Sequence, residues 1–261
     1  MKTGGLELEG VSRWRRKVLA LFVPAFAVLW VGGVASQWLD GPSSNQGWLA
    51  SLFLLLAGLI VLLGVRARRD VSALVGIALL GLAVEAIGVR FRVPFGAYEY
   101  TDALRPQLLS VPLVMGFAWM ALIAYACDIT NRLRLPAWGA AVAAALWTTV
   151  IDLIIDPLAA NELGYWRWAD AGYYYGIPAT NFVGWFVTGL LACRLFGRRL
   201  GPNFWAGCVG ASIVLFFALI ALANSLHVPA LIGLLLCAVQ LSVTALTRHQ
   251  SDNGDPEART G

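Results

Sequence analysis

A succession of long apolar runs constrains this chain more than any other feature. Eight runs, at about residues 18 to 38, 48 to 65, 71 to 89, 108 to 128, 137 to 156, 178 to 196, 203 to 223 and 229 to 246, approach the length needed to cross a bilayer. That length is about 20 residues for a hydrocarbon core of about 30 Å. Only 13% of the 261 residues are charged and 59% are hydrophobic, whereas soluble domains hold about 25% charged residues. The expected fold is an all-α integral membrane protein, a polytopic bundle of about eight (seven to eight) transmembrane helices. Residues 1–17 read as a cytoplasmic N-terminal segment, 18–246 as a single transmembrane domain and 247–261 as a disordered cytoplasmic tail.

Charge sets the expected orientation. Fifteen of the 19 Lys and Arg fall in the N-terminus, the alternate connections and the tail. The other connections hold only Arg90, Arg92, Arg105 and Arg167. The positive-inside rule then places both termini in the cytoplasm, in a multi-pass plasma-membrane protein. The basic residues before the first span resemble a signal-peptide start, but the run is long and more spans follow, so an uncleaved helix is expected. The net charge of +4 follows from this topology and calls for no nucleic acid.

Cys127, Cys193, Cys208 and Cys237 lie in or beside spans without a CxxC pair, and read as small core residues. With only His227 and His249, histidine-built iron or zinc sites are excluded. No GxGxxG or Walker A pattern is present, so no nucleotide cofactor is expected.

Two connections are long, Arg90 to Gln107 and Leu158 to Ile177, and both are expected outside. The first contains FGAYEYTD and the second NELGYWRWADAGYYYGIP. Trp and Tyr favour the membrane interface for their own reasons, but an aromatic belt needs no acids. These loops add Glu99, Asp102, Glu162 and Asp170 to Tyr98, Tyr100, Tyr165, Trp166, Trp168 and Tyr173 to Tyr175. Long loops of this kind are commonly functional, and the expectation is that they cover a site.

Charges inside spans cost at least about 2.5 to 3.5 kcal/mol, so each invites a functional reading. Asp128 sits at a span end beside ITNRLR, where water or an arginine can meet it. Glu85 lies about one turn below the outer end of the third span. Asp152 and Asp156, in WTTVIDLIIDP, are four apart and share one helix face, where like charges repel and oppose the dipole. Holding one member of the set protonated would relieve this. Asn181, in IPATNFVGW with Trp185, begins the next span at the same depth, either as a cap or as part of the cluster.

Carboxyls of unequal acidity between apolar walls suit proton transfer to an apolar substrate. Aromatic faces stabilise a developing cation. Acid-initiated addition to an alkene uses both.

The segments FRVPFGAYEYTDALRPQLLSVPL and DLIIDPLAANELGYWRWADAGYYYGIPATNFVGW resemble the membrane carotenoid biosynthesis family that includes the carotenoid 1,2-hydratases, also called bisanhydrobacterioruberin hydratases. The resemblance covers roughly Glu85 to Phe196. It implies a hydro-lyase that adds water across the terminal C1,C2 double bond of an acyclic carotenoid end, giving a tertiary alcohol without a cofactor. It brings no catalytic residues with it, and the low acidity of this chain departs from the family's halophilic members.

The residues themselves nominate Asp152 or Asp156 as proton donor and Glu85 or Glu99 as the base that orients water. Tyr98, Tyr100, Asp102, Trp166, Trp168, Tyr174, Asn181 and Trp185 are the expected substrate-binding set, with no metal. Expected partners are a hydrophobic carotenoid, membrane lipid and other enzymes of the same pathway; the oligomeric state stays open. A carotenoid end-group cyclase begins with the same protonation, and sequence does not separate it from a hydratase. A membrane prenyltransferase would use the DLIID spacing for magnesium and diphosphate, but no second acidic motif is present. A proton-coupled transporter would show repeated, interrupted helices, and none is evident.

Overall fold

The computed structural model describes residues 3–39, 41, 47–133 and 135–253, with side chains at 3–12 and 247–253 not described. Eight helices form the bundle: α1 (Thr3–Leu39), α2 (Gly47–Gly64), α3 (Arg68–Phe91), α4 (Val114–Arg132), α5 (Ala137–Pro157), α6 (Ala179–Phe196), α7 (Phe204–Ala223) and α8 (His227–Asn253). Each is long and apolar enough to cross a membrane, so the protein is multi-pass. Helix α8 runs on to Asn253, beyond the expected boundary at 246. The rest of the tail, 254–261, lies outside the described residues.

Helix α4 is the axis of the bundle and packs against α2, α3, α5 and α7. Its sequence VMGFAWMALIAYACDITNR is apolar all round and buried along nearly its whole length, as such a helix must be. In lipid, close packing replaces the hydrophobic effect as the force between helices, and small residues permit it. Aromatic side chains of α4 accordingly fill notches at glycines on its neighbours. A Cβ added at Gly81 of α3 would stand 2.5 Å from the Trp119 ring, and one at Gly210 of α7 would stand 2.0 Å from the Tyr125 ring.

Helix α4 starts at Val114, not at 108 as its apolar run implies. Residues 107–112 form a hairpin of β2 (Gln107–Leu108) and β3 (Val111–Pro112). Leu109 and Ser110 turn it with φ of 53° and 61°, outside the helical region. Pro106 and Pro112 flank the turn and favour extended backbone before them.

The ends of α2 and α4 and the start of α7 meet at one end of the bundle. There Asn203 Nδ2 donates to the Val61 carbonyl at 3.0 Å, and Arg132 pairs with Asp128 at 2.7 Å. The two long connections meet at the other end. They are one structure: β1 (Tyr98–Tyr100) pairs antiparallel with β4 (Trp166–Trp168), setting Tyr98 opposite Trp168, Glu99 opposite Arg167 and Tyr100 opposite Trp166. Thr101 Oγ1 donates to the Gly164 carbonyl at 2.6 Å and extends the seam. Below β4, one π-helical turn, Leu158–Glu162, continues α5; such turns recur at functional sites.

Candidate active site

The β1–β4 pairing explains how the loops meet the acids of the spans. Side chains alternate along a strand, so Tyr98 and Tyr100 of β1 turn inward while Glu99 between them is exposed. Trp166 and Trp168 turn inward on β4 in the same way. The inward aromatics pack as cross-strand neighbours, Tyr98 with Trp168 at 5.2 Å and Tyr100 with Trp166 at 5.9 Å between ring centroids.

Beneath this layer sits Glu85, buried on α3. Its Oε2 accepts from Tyr98 Oη at 2.5 Å and from Tyr100 Oη at 2.8 Å. Its Oε1 accepts from Trp119 Nε1 at 2.9 Å. Two hydroxyls and an indole from β1 and α4 thus converge on one carboxyl of α3. Burial first, then the neighbouring Glu85, pushes both tyrosines well above their ordinary range, with Asp156 adding to the effect. They stay neutral donors through any physiological pH.

The aspartates form the second half. Asp152 and Asp156 are one turn apart on α5 and face α6, where Asn181 Nδ2 donates to Asp152 Oδ2 at 2.6 Å and to Asp156 Oδ2 at 2.5 Å. An amide nitrogen carries two protons, one for each carboxyl. Asn181 therefore bridges the pair; the backbone N–H groups at the start of α6 receive no bond from its side chain. Asp156 Oδ1 accepts from Trp166 Nε1 at 2.6 Å, so both its oxygens are engaged. Asp152 Oδ1 is buried with no hydrogen-bond partner, as is Trp168 Nε1. A buried polar atom left so is costly and calls for explanation.

Beside the acids lies an apolar cavity of about 360 Å³ between α1, α2, α4, α5 and α7. Trp166 and Trp185 belong to its lining. Trp166 is also the donor to Asp156, and Trp185 stacks on Trp119 at 4.3 Å, the donor to Glu85. Trp166 therefore joins the cavity to the carboxyls directly, and Trp185 does so through Trp119. Among the described residues, no three His, Cys, Asp or Glu side chains are arranged to hold a metal ion.

The structure brings together Glu85, Asp152, Asp156, Tyr98, Tyr100, Trp166, Trp168, Asn181 and Trp185. It leaves three expected residues outside. Glu99 is on the solvent side of β1, because strand alternation turns it away from its two tyrosine neighbours. Asp102 is exposed and paired with Arg105 at 2.5 Å. Tyr174 spends its hydroxyl on the Leu153 carbonyl at 2.9 Å and packs on Phe182, so it braces α5 against α6. Burial and its neighbours Tyr175 and Asp152 push it up to about 12. Trp119 was not among the expected residues. Its signal was available, since an indole N–H inside a span needs an acceptor, and its place near the start of α4 matches the depth of Glu85 near the end of α3.

The family model described as "Carotenoid biosynthesis protein" matches residues 46–240. The chain belongs to the carotenoid biosynthesis protein family. The chain is similar to bisanhydrobacterioruberin hydratase of Haloarcula japonica, with 33% identity over 148 residues, 54% of this chain and 48% of that one. It is also similar to the uncharacterized protein YoaT of Bacillus subtilis, with 28% identity over 122 residues, 46% of this chain and 44% of that one. The chain thus spans about half the length of the curated relatives it matches. No solved structure matches this chain.

Proposed function

We propose that this protein is a hydro-lyase that adds water across the terminal C1,C2 double bond of an acyclic carotenoid end, giving a tertiary alcohol with carboxyls and water alone. The observation that carries this reading is the indole link between an apolar cavity and a carboxyl cluster, in a chain of the carotenoid biosynthesis family. Similarity to a hydratase, the Haloarcula relative, supports water as the nucleophile. A cavity of about 360 Å³ falls in the size range of small-molecule sites, roughly 300 to 1,000 Å³. It suits the end of a polyene whose remainder lies along the lipid-facing surfaces of α1, α2 and α7.

Asp152 is the proton donor, because Asp156 has both oxygens engaged and Asp152 has Oδ1 to spare. Its proton goes to C2, the less substituted carbon; the π electrons form the new C–H bond and leave a tertiary cation at C1. The surrounding indole and phenol faces stabilise that cation through their ring quadrupoles. Water adds at C1 and loses its proton to Glu85, whose Oε1 holds one donor and has a lone pair left. Return of that proton to Asp152 restores the enzyme, so the sum is alkene plus water to alcohol. Both termini cytoplasmic, a plasma-membrane location and association with other enzymes of the pathway complete the reading.

The test is turnover of an acyclic carotenoid by purified protein in liposomes made with oxygen-labelled water. A product heavier by one water, with the label in its hydroxyl and no response to chelator, is expected. Product of unchanged mass would make the enzyme a cyclase, and an absolute requirement for magnesium and a prenyl diphosphate would make it a prenyltransferase.

A further inference from the structure

At the end of the bundle where α2 finishes and α7 begins, α1, α2 and α7 border an open cavity of about 500 Å³ whose lining includes Arg15, Arg16, Arg66 and Trp205. Arg15 donates to the Val65 carbonyl, which fixes its guanidinium at the end of α2. Among the described residues, no carboxylate lines this cavity. The contrast with other basic residues at the same end is sharp. Arg132 is paired with Asp128 at 2.7 Å, Arg69 stands 3.5 Å from Asp70, and Arg194 lies over the Trp138 ring at 4.3 Å.

A second cavity, of about 260 Å³, shares Val23 and Trp205 with the first and climbs the groove between α1 and α7 past Phe26, Ile60 and Val209. Its walls are apolar, and the polar groups that border it are already satisfied. Ser212 Oγ donates to the Val209 carbonyl at 2.8 Å, and the Ser212 carbonyl accepts from Trp30 Nε1 at 2.8 Å. One continuous slot thus runs from three guanidiniums into an apolar groove.

We infer that this slot binds one anionic phospholipid, with its phosphate among Arg15, Arg16 and Arg66 and an acyl chain along the α1–α7 groove. Three like charges around one cavity repel each other until an anion joins them. Guanidinium forks match phosphate oxygens in geometry as well as in charge. Basic pockets between transmembrane helices recognise lipid headgroups in this way. Trp205, which lines both cavities at the start of α7, is of the residue type that favours the headgroup level. The site is separate from the acid cluster and does not depend on the hydratase reading.

The test follows thermal unfolding of the full chain in a neutral detergent while short-chain phosphatidylglycerol, short-chain phosphatidylcholine or inorganic phosphate is added. Phosphatidylglycerol alone is expected to raise the midpoint saturably. In R15Q/R16Q/R66Q the apparent affinity should fall at least about tenfold, the loss expected for charge-assisted hydrogen bonds. In R198Q/R199Q, at exposed positions of the same end, it should stay as in the parent. Should the triple variant fail to fold, Cys208→Trp, at an exposed position of the groove, which blocks the groove and keeps the arginines, is expected to weaken the response instead. An equal effect of inorganic phosphate would reduce the site to a phosphate site and overturn the lipid assignment. So would equal losses in both arginine sets, or no saturable response.

Discussion

Trp119 Nε1 donates a hydrogen bond to Glu85 Oε1 at 2.9 Å, tying the central helix to the acid of α3 at the depth where the loops close over the bundle. The same indole stacks on Trp185 at 4.3 Å and fits the notch left by Gly81. Trp119→Phe should keep one aromatic ring in the stack, remove the donor and leave the notch beside Gly81 less well filled. Leaving a buried polar group without its hydrogen bond costs about 1 to 3 kcal/mol, so a lower unfolding midpoint in detergent is expected, with reduced turnover. Gly81→Val should reproduce both effects by pushing the ring away, and an unchanged midpoint in both variants would count against this placement of Glu85.

The aspartate pair gives the sharpest catalytic prediction. Asp152→Asn keeps the side-chain shape but removes the acidic proton, and loss of a general acid costs about a hundredfold to ten-thousandfold in rate. Asp156→Asn should also impair turnover, because it disturbs the carboxyl that Asn181 and Trp166 hold. Glu99→Gln and Asp102→Asn, at exposed positions, should leave turnover within about twofold, in line with surface substitutions generally. Normal rates in Asp152→Asn would move the donor to Asp156, and loss of activity in Glu99→Gln would return the base to the loop.

The spans and the acid cluster were legible in the sequence for one reason: a charge within an apolar run is conspicuous. Glu85, Asp152, Asp156 and Asn181 could be set at one depth by counting turns from the span ends. What joins them was hidden, because β1 and β4 are three-residue strands from distant segments, and their aromatics look the same in an interfacial belt. Without the strand, nothing told Glu99 apart from Tyr98 and Tyr100. The start of α4 was hidden too, since Leu108 and Leu109 extend the apolar run while standing exposed in a hairpin. Asn181 reads from sequence as either a helix cap or a member of the cluster; only its distance to two carboxyls distinguishes the bridging role.

Alkaline pH should unfold the loop end first. Tyr98 and Tyr100 have folded pKa values raised above the ordinary value of about 10, with burial the largest cause and Glu85 next. Their contribution to stability is complete below pH of about 10. Above it the unfolded chain ionises while the folded one does not, so each tyrosine removes about 1.4 kcal/mol per further pH unit. Unfolding midpoints measured against pH should fall steeply above that point, and Tyr98→Phe/Tyr100→Phe should flatten the decline. A parallel decline in parent and variant would place the alkaline sensitivity elsewhere.

Orientation follows from charge. With 15 of 19 Lys and Arg on the side of the termini, a cysteine at exposed Arg198 should react only with reagents that reach the cytoplasm. A cysteine at Tyr173, fully exposed in the long second loop, should react from outside. The reverse pattern in intact cells would invert the membrane and place the acid cluster in the inner leaflet half.

The last prediction concerns how a polyene reaches the acids. The cavity beside them lies against α1, α2 and α7, helices long and apolar enough to cross a membrane, whereas the β1–β4 seam lies in the connections beyond the spans. Entry should therefore be lateral, and the seam should not need to open. Glu99 and Arg167 are direct partners across that seam and both are exposed. Opposed residues of an antiparallel pair have Cα atoms about 4.5 to 5.5 Å apart, close enough for a disulfide, which takes roughly 4.4 to 6.8 Å. Glu99→Cys/Arg167→Cys, oxidised, should lock the two loops together, raise the unfolding midpoint and leave turnover near that of the reduced form. If oxidation abolishes turnover and a reductant restores it, the substrate enters from the aqueous side, and the cavity between the spans is not its path.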